Sequence, residues 1–278
     1  MSDITKYLRK QRLPHILCPG CGHGIVMNAL LRAIDRAGLD QDKTAVVSGI
    51  GCSGRIPAYL DFNTLHTTHG RALAYATGLK LYRPDLTVIV LMGDGDASAI
   101  GGNHLIHAAR RNIDLVAVVM NNSNYGMTSG QYSPLTPTAR ITTTSPYGNI
   151  EQPFDLAQLV QAAGASYVAR STTYHVQSLI TYLEKAIKKK GFAFVEAVAQ
   201  CPTYFGRKNK LGAGAEMLER FKTLAVDVKR AATLSPEERK GKIVIGEFAD
   251  RAVPEYTERY GELIARLKAK DAHAVAGE

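Results

Sequence analysis

Short apolar runs rich in Val, Ile and Leu alternate along the chain with longer stretches whose apolar residues recur at helical spacing. Uninterrupted apolar runs of this kind are typical of strands that are covered on both faces of a parallel sheet. The alternation therefore predicts an α/β fold, a doubly wound parallel sheet with helices on both faces. The predicted strands are Thr44 to Ser48, Thr87 to Met92, Leu115 to Asn121, Tyr167 to Ala169 and Phe192 to Val198, and the predicted helices are Ile25 to Ala37, Ala72 to Leu81, Asn103 to Arg111, Phe154 to Ala163 and Thr173 to Lys190.

The residue pattern changes after about residue 200. We predict an α/β domain of residues 1 to 200 and a C-terminal extension of residues 201 to 278. An extension of this kind can fold over a site of the main domain or pack on a neighbouring subunit. Its predicted elements are a Gly-rich segment from Leu211 to Ala215, a charged helical stretch to Ala232, a strand from Lys242 to Phe248 and a helix from Glu255 to Lys270.

The composition fits a globular protein, since 45% of the 278 residues are hydrophobic. No apolar run reaches the ~20 residues of a membrane span, and the polar start at Ser2 and Asp3 is unlike a secretory signal peptide. We therefore expect a cytoplasmic protein with no membrane partner.

Basic residues outnumber acidic ones and give a formal net charge of +9. They concentrate in three clusters, Lys188 to Lys190, Arg207 to Lys210 and Arg239 to Lys242. No helix-turn-helix, zinc-finger or aromatic-basic pattern accompanies these clusters, so we do not expect a nucleic-acid partner. A basic face instead favours the docking of an acidic protein.

Two polar loops directly follow neighbouring apolar runs. Gly93-Asp94-Gly95-Asp96 ends the first run, and Asn122, 28 residues after Asp94, ends the second. The crossover between parallel strands places both loops at one edge of the sheet, where ligands of open α/β sheets bind. Magnesium is usually held by one or two protein oxygens plus substrate phosphates, so Asp94 and Asn122 predict a magnesium–diphosphate site. Gly-Asp-Gly alone is also a common turn, and the paired asparagines make that alternative the weaker one.

The chain contains four cysteines, which is enough for one metal centre. Cys18 and Cys21 form a Cys-x-x-Cys loop, Cys52 lies in a Gly-rich turn after a predicted strand, and Cys201 follows another predicted strand. Thiolates at strand ends can converge at one edge of the sheet. Sequence spacing alone does not separate zinc from an iron–sulfur cluster, although zinc ribbons use two close pairs of cysteines.

Three other interpretations of the cysteines remain open. Disulfides are disfavoured because no secretory segment is present. A thiol redox pair at Cys18 and Cys21 is disfavoured because the flanking glycines are typical of a ligand-wrapping loop rather than a thioredoxin-like helix start. Cys52 and Cys201 are also compatible with two separate small buried residues.

The Gly-Asp-Gly and Asn-Asn pattern resembles the diphosphate-binding domain of thiamine diphosphate enzymes in both spacing and placement. The resemblance implies that the Asp94 and Asn122 side chains and the Asn124 main-chain carbonyl bind Mg²⁺. It also implies that five further residues line the cofactor, namely Gly93, Gly95, Asp96, Gly126 and Met127.

Together with the cysteine motifs, this pattern resembles the β subunit of 2-oxoacid:ferredoxin oxidoreductases from residue 12 to about residue 205. The implied fold is the thiamine diphosphate-binding type of doubly wound sheet. In that family the four matching cysteines bind one [4Fe-4S] cluster. The segment from Tyr125 to Gln131, followed by Ser133-Pro134, is similar to the 2-oxoglutarate branch more than to the pyruvate branch. The loop that would contact both cluster and thiamine cofactor consists of Ile50, Gly51, Cys52 and Ser53.

The resemblance implies a thiamine diphosphate-dependent oxidative decarboxylation of a 2-oxo acid with coenzyme A. For 2-oxoglutarate the products are succinyl-CoA and CO₂, with electrons passing through the cluster to ferredoxin, and the reaction can run in reverse. The implied partner is an α subunit that carries the pyrimidine-binding domain, in an αβ heterodimer or a dimer of αβ. Alternatives are pyruvate or another 2-oxo acid as substrate, a non-redox thiamine diphosphate decarboxylase, and a zinc-stabilised nucleic-acid-binding protein.

Two further side chains are candidates for the site. Arg55 is the candidate catalytic residue, because a guanidinium pairs with the carboxylate of a 2-oxo acid; the alternative is that it balances the charge of the cluster. His69 precedes a predicted helix whose start favours anions, so it is a candidate contact to the cofactor or to coenzyme A, against a structural role. Other histidines are interpreted as structural, namely His23, His104 and His107.

Overall fold

The computed structural model describes residues 3 to 276, with side chains to Lys270. Within these residues, eight strands form one sheet and helices cover both of its faces. The strands are β1 (Thr44–Ser48), β2 (Asn63–His66), β3 (Thr87–Gly93), β4 (Val116–Asn121), β5 (Tyr167–Thr172), β6 (Ala193–Val198), β7 (Ala225–Asp227) and β8 (Ile243–Asp250). The helices are α1 (Gly22–Ala37), α2 (Ala72–Tyr82), α3 (Asp94–Ser98), α4 (Gly102–Arg111), α5 (Leu156–Ala163), α6 (Val176–Lys188), α7 (Gly214–Leu224), α8 (Val228–Ala231), α9 (Pro236–Arg239) and α10 (Tyr256–Ala276).

The sheet has the strand order β2-β1-β3-β4-β6-β5-β8-β7. Its first six strands are parallel, which confirms the predicted doubly wound α/β sheet. β8 runs antiparallel to β5, and β7 pairs parallel with β8. The chain after residue 200 therefore adds two strands to one edge of the sheet, while the domain boundary at residue 200 stays a prediction.

The main differences from the sequence-based expectation concern β2, β7 and the start of α1. β2 has no apolar run to signal it, because all four of its residues are exposed at the edge of the sheet. β7 interrupts the stretch expected to be helical up to Ala232, since residues 225 to 227 pair with residues 243 to 245 of β8. α1 begins at Gly22, three residues earlier than expected, so Cys21 immediately precedes the helix.

The hydrophobic core forms two layers, one on each face of the sheet. α1 and α6 supply one layer, with Leu30 and Leu183 fully buried. α2, α4 and α5 supply the other, with Leu105 and Val160 fully buried. Burying a side chain of this size contributes about 1.5–3 kcal/mol, so the two layers fix the helices against the sheet. In the part of the chain that the structure describes, no helix is both long and apolar enough to cross a membrane.

The topological switch point of the sheet lies between β1 and β3. The chain leaves β1 for β2 on one side and returns to β3 on the other side. Ligands of open α/β sheets bind in the crevice at such a point. The strand ends are level, since Gly93 pairs with Met120 and Asn121 pairs with Val198. The loops after β1, β3, β4 and β6 are therefore neighbours, and they carry the predicted site residues.

A buried ion-pair network ties β8 to the main sheet. Arg170 on β5 lies 2.7 Å from Glu196 on β6 and 2.5 Å from Asp155, the residue before α5. Arg170 Nη1 also donates to the Val244 carbonyl on β8 at 3.2 Å. Arg170 and Glu196 are 7% and 2% exposed. The charge of Arg170 and that of Glu196 therefore stabilise each other, because burying an unpaired charge costs free energy.

Replacing Arg170 by Met is expected to lower the free energy of unfolding by about 3–5 kcal/mol, because Glu196 would keep a buried charge without its partner. Urea unfolding measures the change. Lys188→Met is the matched control, since it breaks a pair with Glu184 in which the lysine is largely exposed and should cost under ~1 kcal/mol. A loss no larger than that of the control would show that the network contributes little to the fold.

Candidate active site

The loop after β3 places a buried carboxylate at the switch point. Asp94 is the first residue of α3 and is 2% exposed. The Ser133 hydroxyl donates a hydrogen bond to Asp94 Oδ2. Burial raises the pKa of Asp94 to about 7, because desolvation disfavours the charged form. A divalent cation at this position would hold the carboxylate in its ionised form.

Three oxygens from the two polar loops face one another. The Asn122 carboxamide oxygen lies 2.7 Å from the Asn124 main-chain oxygen and 3.1 Å from Asp94 Oδ1. Without a hydrogen between them these oxygens repel, and turning the Asn122 amide over would replace the repulsion by two hydrogen bonds. A cation among the three oxygens removes the same repulsion without the turn. The structure thus brings the three predicted metal ligands together.

The donor set and its surroundings suit Mg²⁺ bound to a diphosphate. Both polar atoms of the buried Asn124 side chain have no hydrogen-bond partner among the described residues, so they are available to a ligand. The depression that these groups line encloses only about 30 Å³, roughly the volume of one water. Mg²⁺ would take the three oxygens and complete about six ligands with phosphate and water. The chain therefore provides the floor of a coenzyme site and not an enclosed pocket.

The second carboxylate of this loop, Asp96, is held by the segment that precedes α2. The Gly70 main-chain N–H donates to Asp96 Oδ1 at 2.5 Å, and His69 Nε2 lies 3.8 Å from the same oxygen. The His69 ring also packs against Tyr125, with ring centroids 5.7 Å apart. The structure thus brings His69 and Asp96 to the depression that contains Asp94, while their contacts to a cofactor stay predictions.

The four cysteines line one cavity of about 210 Å³ beside the metal-ligand loops. They come from the segment before α1, the loop after β1 and the loop after β6, and all four are free thiols. Among the described residues, no set of three or more His, Cys, Asp or Glu side chains is close enough to hold a single metal ion. Thiols spread around a shared cavity suit a cluster of several atoms better than one tetrahedral zinc ion.

Burial sets the protonation of two of these thiols. Burial first, and the neighbouring thiols to a smaller extent, raise the pKa of Cys21 to about 12 and that of Cys52 to about 11. Thiols of this kind are neutral at pH 7 and lose their protons on binding a metal. As expected, Cys18-x-x-Cys21 lies in a loop, although α1 begins directly after Cys21. The raised pKa nevertheless separates Cys21 from reactive redox thiols, whose pKa is lowered.

The thiol cavity and the metal-site depression share a wall formed by Cys52, Asn122 and Gly126. Gly126 packs so closely that a Cβ built on it would lie 3.2 Å from Cys52 Sγ and 3.6 Å from Asn122 Nδ2. Cys52, a predicted cluster ligand, and Asn122, a predicted metal ligand, therefore both lie next to the backbone of Gly126. This arrangement suits electron transfer between two centres.

Comparison with known proteins agrees with this geometry. Residues 49 to 197 match the family described as thiamine pyrophosphate enzyme, C-terminal TPP binding domain. The chain is 55% identical over 269 residues to the 2-oxoglutarate synthase subunit KorB of Methanothermobacter marburgensis, covering 97% of this chain and 94% of that protein. It is 45% identical over 189 residues to the 2-oxoacid:ferredoxin oxidoreductase subunit beta of Saccharolobus solfataricus, covering 67% of this chain and 62% of that protein.

Comparison with a solved structure agrees with these sequence comparisons. The 2-oxoglutarate:ferredoxin oxidoreductase from Magnetococcus marinus, with 2-oxoglutarate, coenzyme A and succinyl-CoA bound, matches with a TM-score of 0.86 and 34% identity over 96% of this chain and 91% of that one. The chain belongs to the 2-oxoacid:ferredoxin oxidoreductase β subunits. The predicted family, its 2-oxoglutarate branch, the enzyme class and the thiamine diphosphate-binding fold are thereby confirmed.

The remaining predicted residues of this β subunit surround the two cavities. Arg55 is exposed and lines the thiol cavity. Met127 lies at the thiol cavity, whereas Ile50, Gly51 and Ser53 line the metal-site depression. The catalytic role of Arg55 and the individual cofactor contacts stay predictions.

Sequence reasoning missed three contributors to the site. Ser133 lies in a long loop far from Asp94 in sequence, so no local pattern signals its hydrogen bond. The Tyr125 hydroxyl donates to the Gly95 carbonyl at 3.2 Å. His23, interpreted as structural, lies 3.3 Å from Cys21 Sγ and lines the depression; burial lowers its pKa to about 4. The one available signal was its position two residues after a predicted ligand.

Gly126→Ala is expected to weaken Mg²⁺-dependent thiamine diphosphate binding by about tenfold, because overpacking of this kind costs about 1–3 kcal/mol. The added methyl would press on Cys52 Sγ at 3.2 Å, whereas it would lie in ordinary contact with Asn122 Nδ2 at 3.6 Å. Coenzyme titration followed by tyrosine fluorescence measures the effect. Gly78→Ala is the matched control, since a Cβ there meets no atom within 4 Å. Equal affinities of the two variants would contradict the close packing of the shared wall.

Proposed function

We propose that this chain carries the metal–diphosphate and iron–sulfur centres of a 2-oxoglutarate:ferredoxin oxidoreductase. The enzyme converts 2-oxoglutarate and coenzyme A to succinyl-CoA and CO₂, passes two electrons to ferredoxin, and can run in reverse. The observation that carries the proposal is the wall shared by the two cavities. The names of similar proteins support the substrate: one is a 2-oxoglutarate synthase subunit, and one structure holds 2-oxoglutarate, coenzyme A and succinyl-CoA.

The metal-site residues fix the charged end of the coenzyme. Asp94, Asn122 and the Asn124 carbonyl would hold Mg²⁺, which would neutralise the diphosphate. The hydrogen bond from Ser133 engages Asp94 Oδ2 and leaves Oδ1 directed at the asparagine oxygens. Thiamine diphosphate, when bound, supplies the carbanion and the electron sink that decarboxylation requires. The residues of this chain position that chemistry at the switch point of the sheet.

The cysteines provide the ligand set of a [4Fe-4S] cluster, Cys18, Cys21, Cys52 and Cys201. The segments that carry them are held by separate elements, the start of α1 and the ends of β1 and β6. Arg55 supplies a positive charge at the rim of the same cavity. That charge serves either the carboxylate of the 2-oxo acid or the electron-rich cluster.

A partner subunit completes the active site. The metal-site depression is shallow, and the apolar side chains of Ile50 and Met127 beside it are 40% and 41% exposed. Exposed apolar groups around an incomplete site are typical of an interface. We assign this face to the α subunit that carries the pyrimidine-binding domain, in an αβ heterodimer or a dimer of αβ.

One of the three basic clusters lies next to the thiol cavity, which ferredoxin has to approach to receive electrons. The cluster from Arg207 to Lys210 directly follows the Cys201 loop, and the Arg207 guanidinium lies 5.9 Å from the ring centroid of Tyr204, which lines the thiol cavity. The cluster from Lys188 to Lys190 lies at the opposite edge of the sheet, beside the amino ends of β3 and β4. We therefore assign ferredoxin docking to the first cluster, because ferredoxins are commonly acidic.

Asp94→Ala is expected to abolish Mg²⁺-dependent coenzyme binding and to leave the iron content unchanged, because the two centres use different ligands. Cys52→Ser is expected to do the reverse. Calorimetric coenzyme titration and iron analysis of the anaerobically purified αβ complex measure both. The wild type should be brown and contain about four irons per β subunit.

Asp85→Ala, which removes an exposed carboxylate at the opposite edge of the sheet, is the control for Asp94 and should change neither property. Full coenzyme affinity in Asp94→Ala would overturn the metal assignment. A colourless, iron-free wild type with decarboxylase activity would point to the non-redox enzyme. Bound zinc with salt-sensitive nucleic-acid binding would point to the zinc protein.

Replacing Arg207 and Lys210 together by Gln is expected to raise the KM for ferredoxin several-fold at low salt, because two attractive charges are lost next to the cluster. The difference from wild type should shrink as ionic strength rises. The matched control removes two charges at the other edge of the sheet, by Lys188→Gln with Lys190→Gln. Steady-state kinetics with equal KM values for the two variants would place the docking face elsewhere.

A further inference from the structure

His23 is a fully buried side chain that lies between the two centres. It belongs to the first turn of α1 and is 1% exposed. Its Nδ1 lies 3.3 Å from Cys21 Sγ, and the ring lines the metal-site depression together with Cys52 and Asn122. Cys21, Cys52 and Asn122 each have a role in the functions assigned so far, whereas His23 has none.

The ring is held in a fixed position by the chain on either side of it. The N–H of Gly22 donates to the Gln200 carbonyl at 3.0 Å, which ties the start of α1 to the loop that carries Cys201. A Cβ on Gly22 would lie 2.6 Å from Gln200 Oε1 and 2.8 Å from Ala199 Cβ, so this contact requires glycine. The backbone next to His23 is therefore fixed, and the complete burial of the ring restricts its rotation.

The chemistry of a bound cluster fixes the direction of the hydrogen bond. A sulfur that is bound to iron carries no proton, so Cys21 Sγ can only accept. Nδ1 then carries the hydrogen, whether the ring is neutral or charged. Hydrogen bonds to the sulfurs of an iron–sulfur cluster stabilise its reduced, more negative form and raise its reduction potential. Such a hydrogen bond is electrostatically stronger in a buried site than in water, so its effect on the potential is larger.

We propose that His23 is a positioning residue that donates a hydrogen bond from Nδ1 to Cys21 Sγ, the cysteine sulfur that binds the cluster. This hydrogen bond raises the reduction potential of the cluster. The inference rests on the proposed function, which supplies the cluster. The two electrons of each turnover would pass through the cluster one at a time on their way to ferredoxin. The hydrogen stays on Nδ1 in both oxidation states, so no proton is transferred.

The first test is a potentiometric titration of the reduced cluster in the αβ holoenzyme, followed by electron paramagnetic resonance. His23→Phe keeps a ring but removes the donor, and is expected to lower the ratio of reduced to oxidised cluster about tenfold at a fixed potential, which is ~59 mV for one electron. His23→Gln retains a donor and should restore part of the shift. His107→Phe, on α4, is the control and should match the wild type. An unchanged midpoint in His23→Phe with an intact cluster would overturn the proposal.

The second test needs no variant at His23. Wild-type holoenzyme grown with ¹⁵N-histidine should show a weak nitrogen coupling at the reduced cluster in electron–nuclear double resonance. A reduced cluster without that coupling overturns the role of His23 alone, even if the variants fail to assemble. A wild type without iron or a cluster signal instead overturns the proposed function.

Discussion

The convergence of three oxygens at the switch point is the constraint on which the site depends. The oxygens belong to Asp94, Asn122 and Asn124, and their mutual repulsion is relieved either by turning the Asn122 amide over or by a bound cation. The fold enforces the arrangement through a buried network behind the loop. Asn121 Nδ2 donates to Glu196 Oε1 at 2.8 Å, and Asn121 Oδ1 accepts from the Ser123 N–H at 3.1 Å. Glu196 is held in turn by Arg170, so the metal loop is anchored to the sheet from which it emerges.

Burial disfavours the charged forms of ligands in both proposed centres. It raises the pKa of Asp94 and of Cys21, so the protein without metals carries less negative charge at each centre. Binding of Mg²⁺ and iron would release the remaining protons and supply the compensating positive charge. Cys52 belongs to the wall between the two cavities, so a charge placed in one centre is felt in the other. Two centres this close, which would help electron transfer, would each need cations of their own to balance the ligand charge.

The sequence predicts the parts of the site that depend on local pattern. The central strands and the helices between them follow from apolar periodicity, and Asp94 and Asn122 follow from their positions at strand ends. The predicted metal contact of Asn124 is through its main chain, so no residue type signals it, and its assignment depended on resemblance alone. The antiparallel pairing of β8 with β5 joins segments about 80 residues apart, which no local pattern specifies. Ser133 contacts Asp94 from a distant part of the chain, and His23 contacts Cys21 two residues before it. Neither contact can be distinguished from ordinary packing in the sequence.

The part of the chain after residue 200 lines the thiol cavity and packs against its other segments. Cys201 packs with Phe205 and Met217 in a small hydrophobic cluster of its own, so α7 is attached to the segment that carries the fourth thiol. Gly214, at the start of α7, lies against Gly20 between the first two cysteines. A cluster held by all four cysteines would therefore join the segment before α1, the sheet and the added C-terminal part at one point. The same point lies beside the basic residues from Arg207 onward, so electrons would leave on the face that this part of the chain builds.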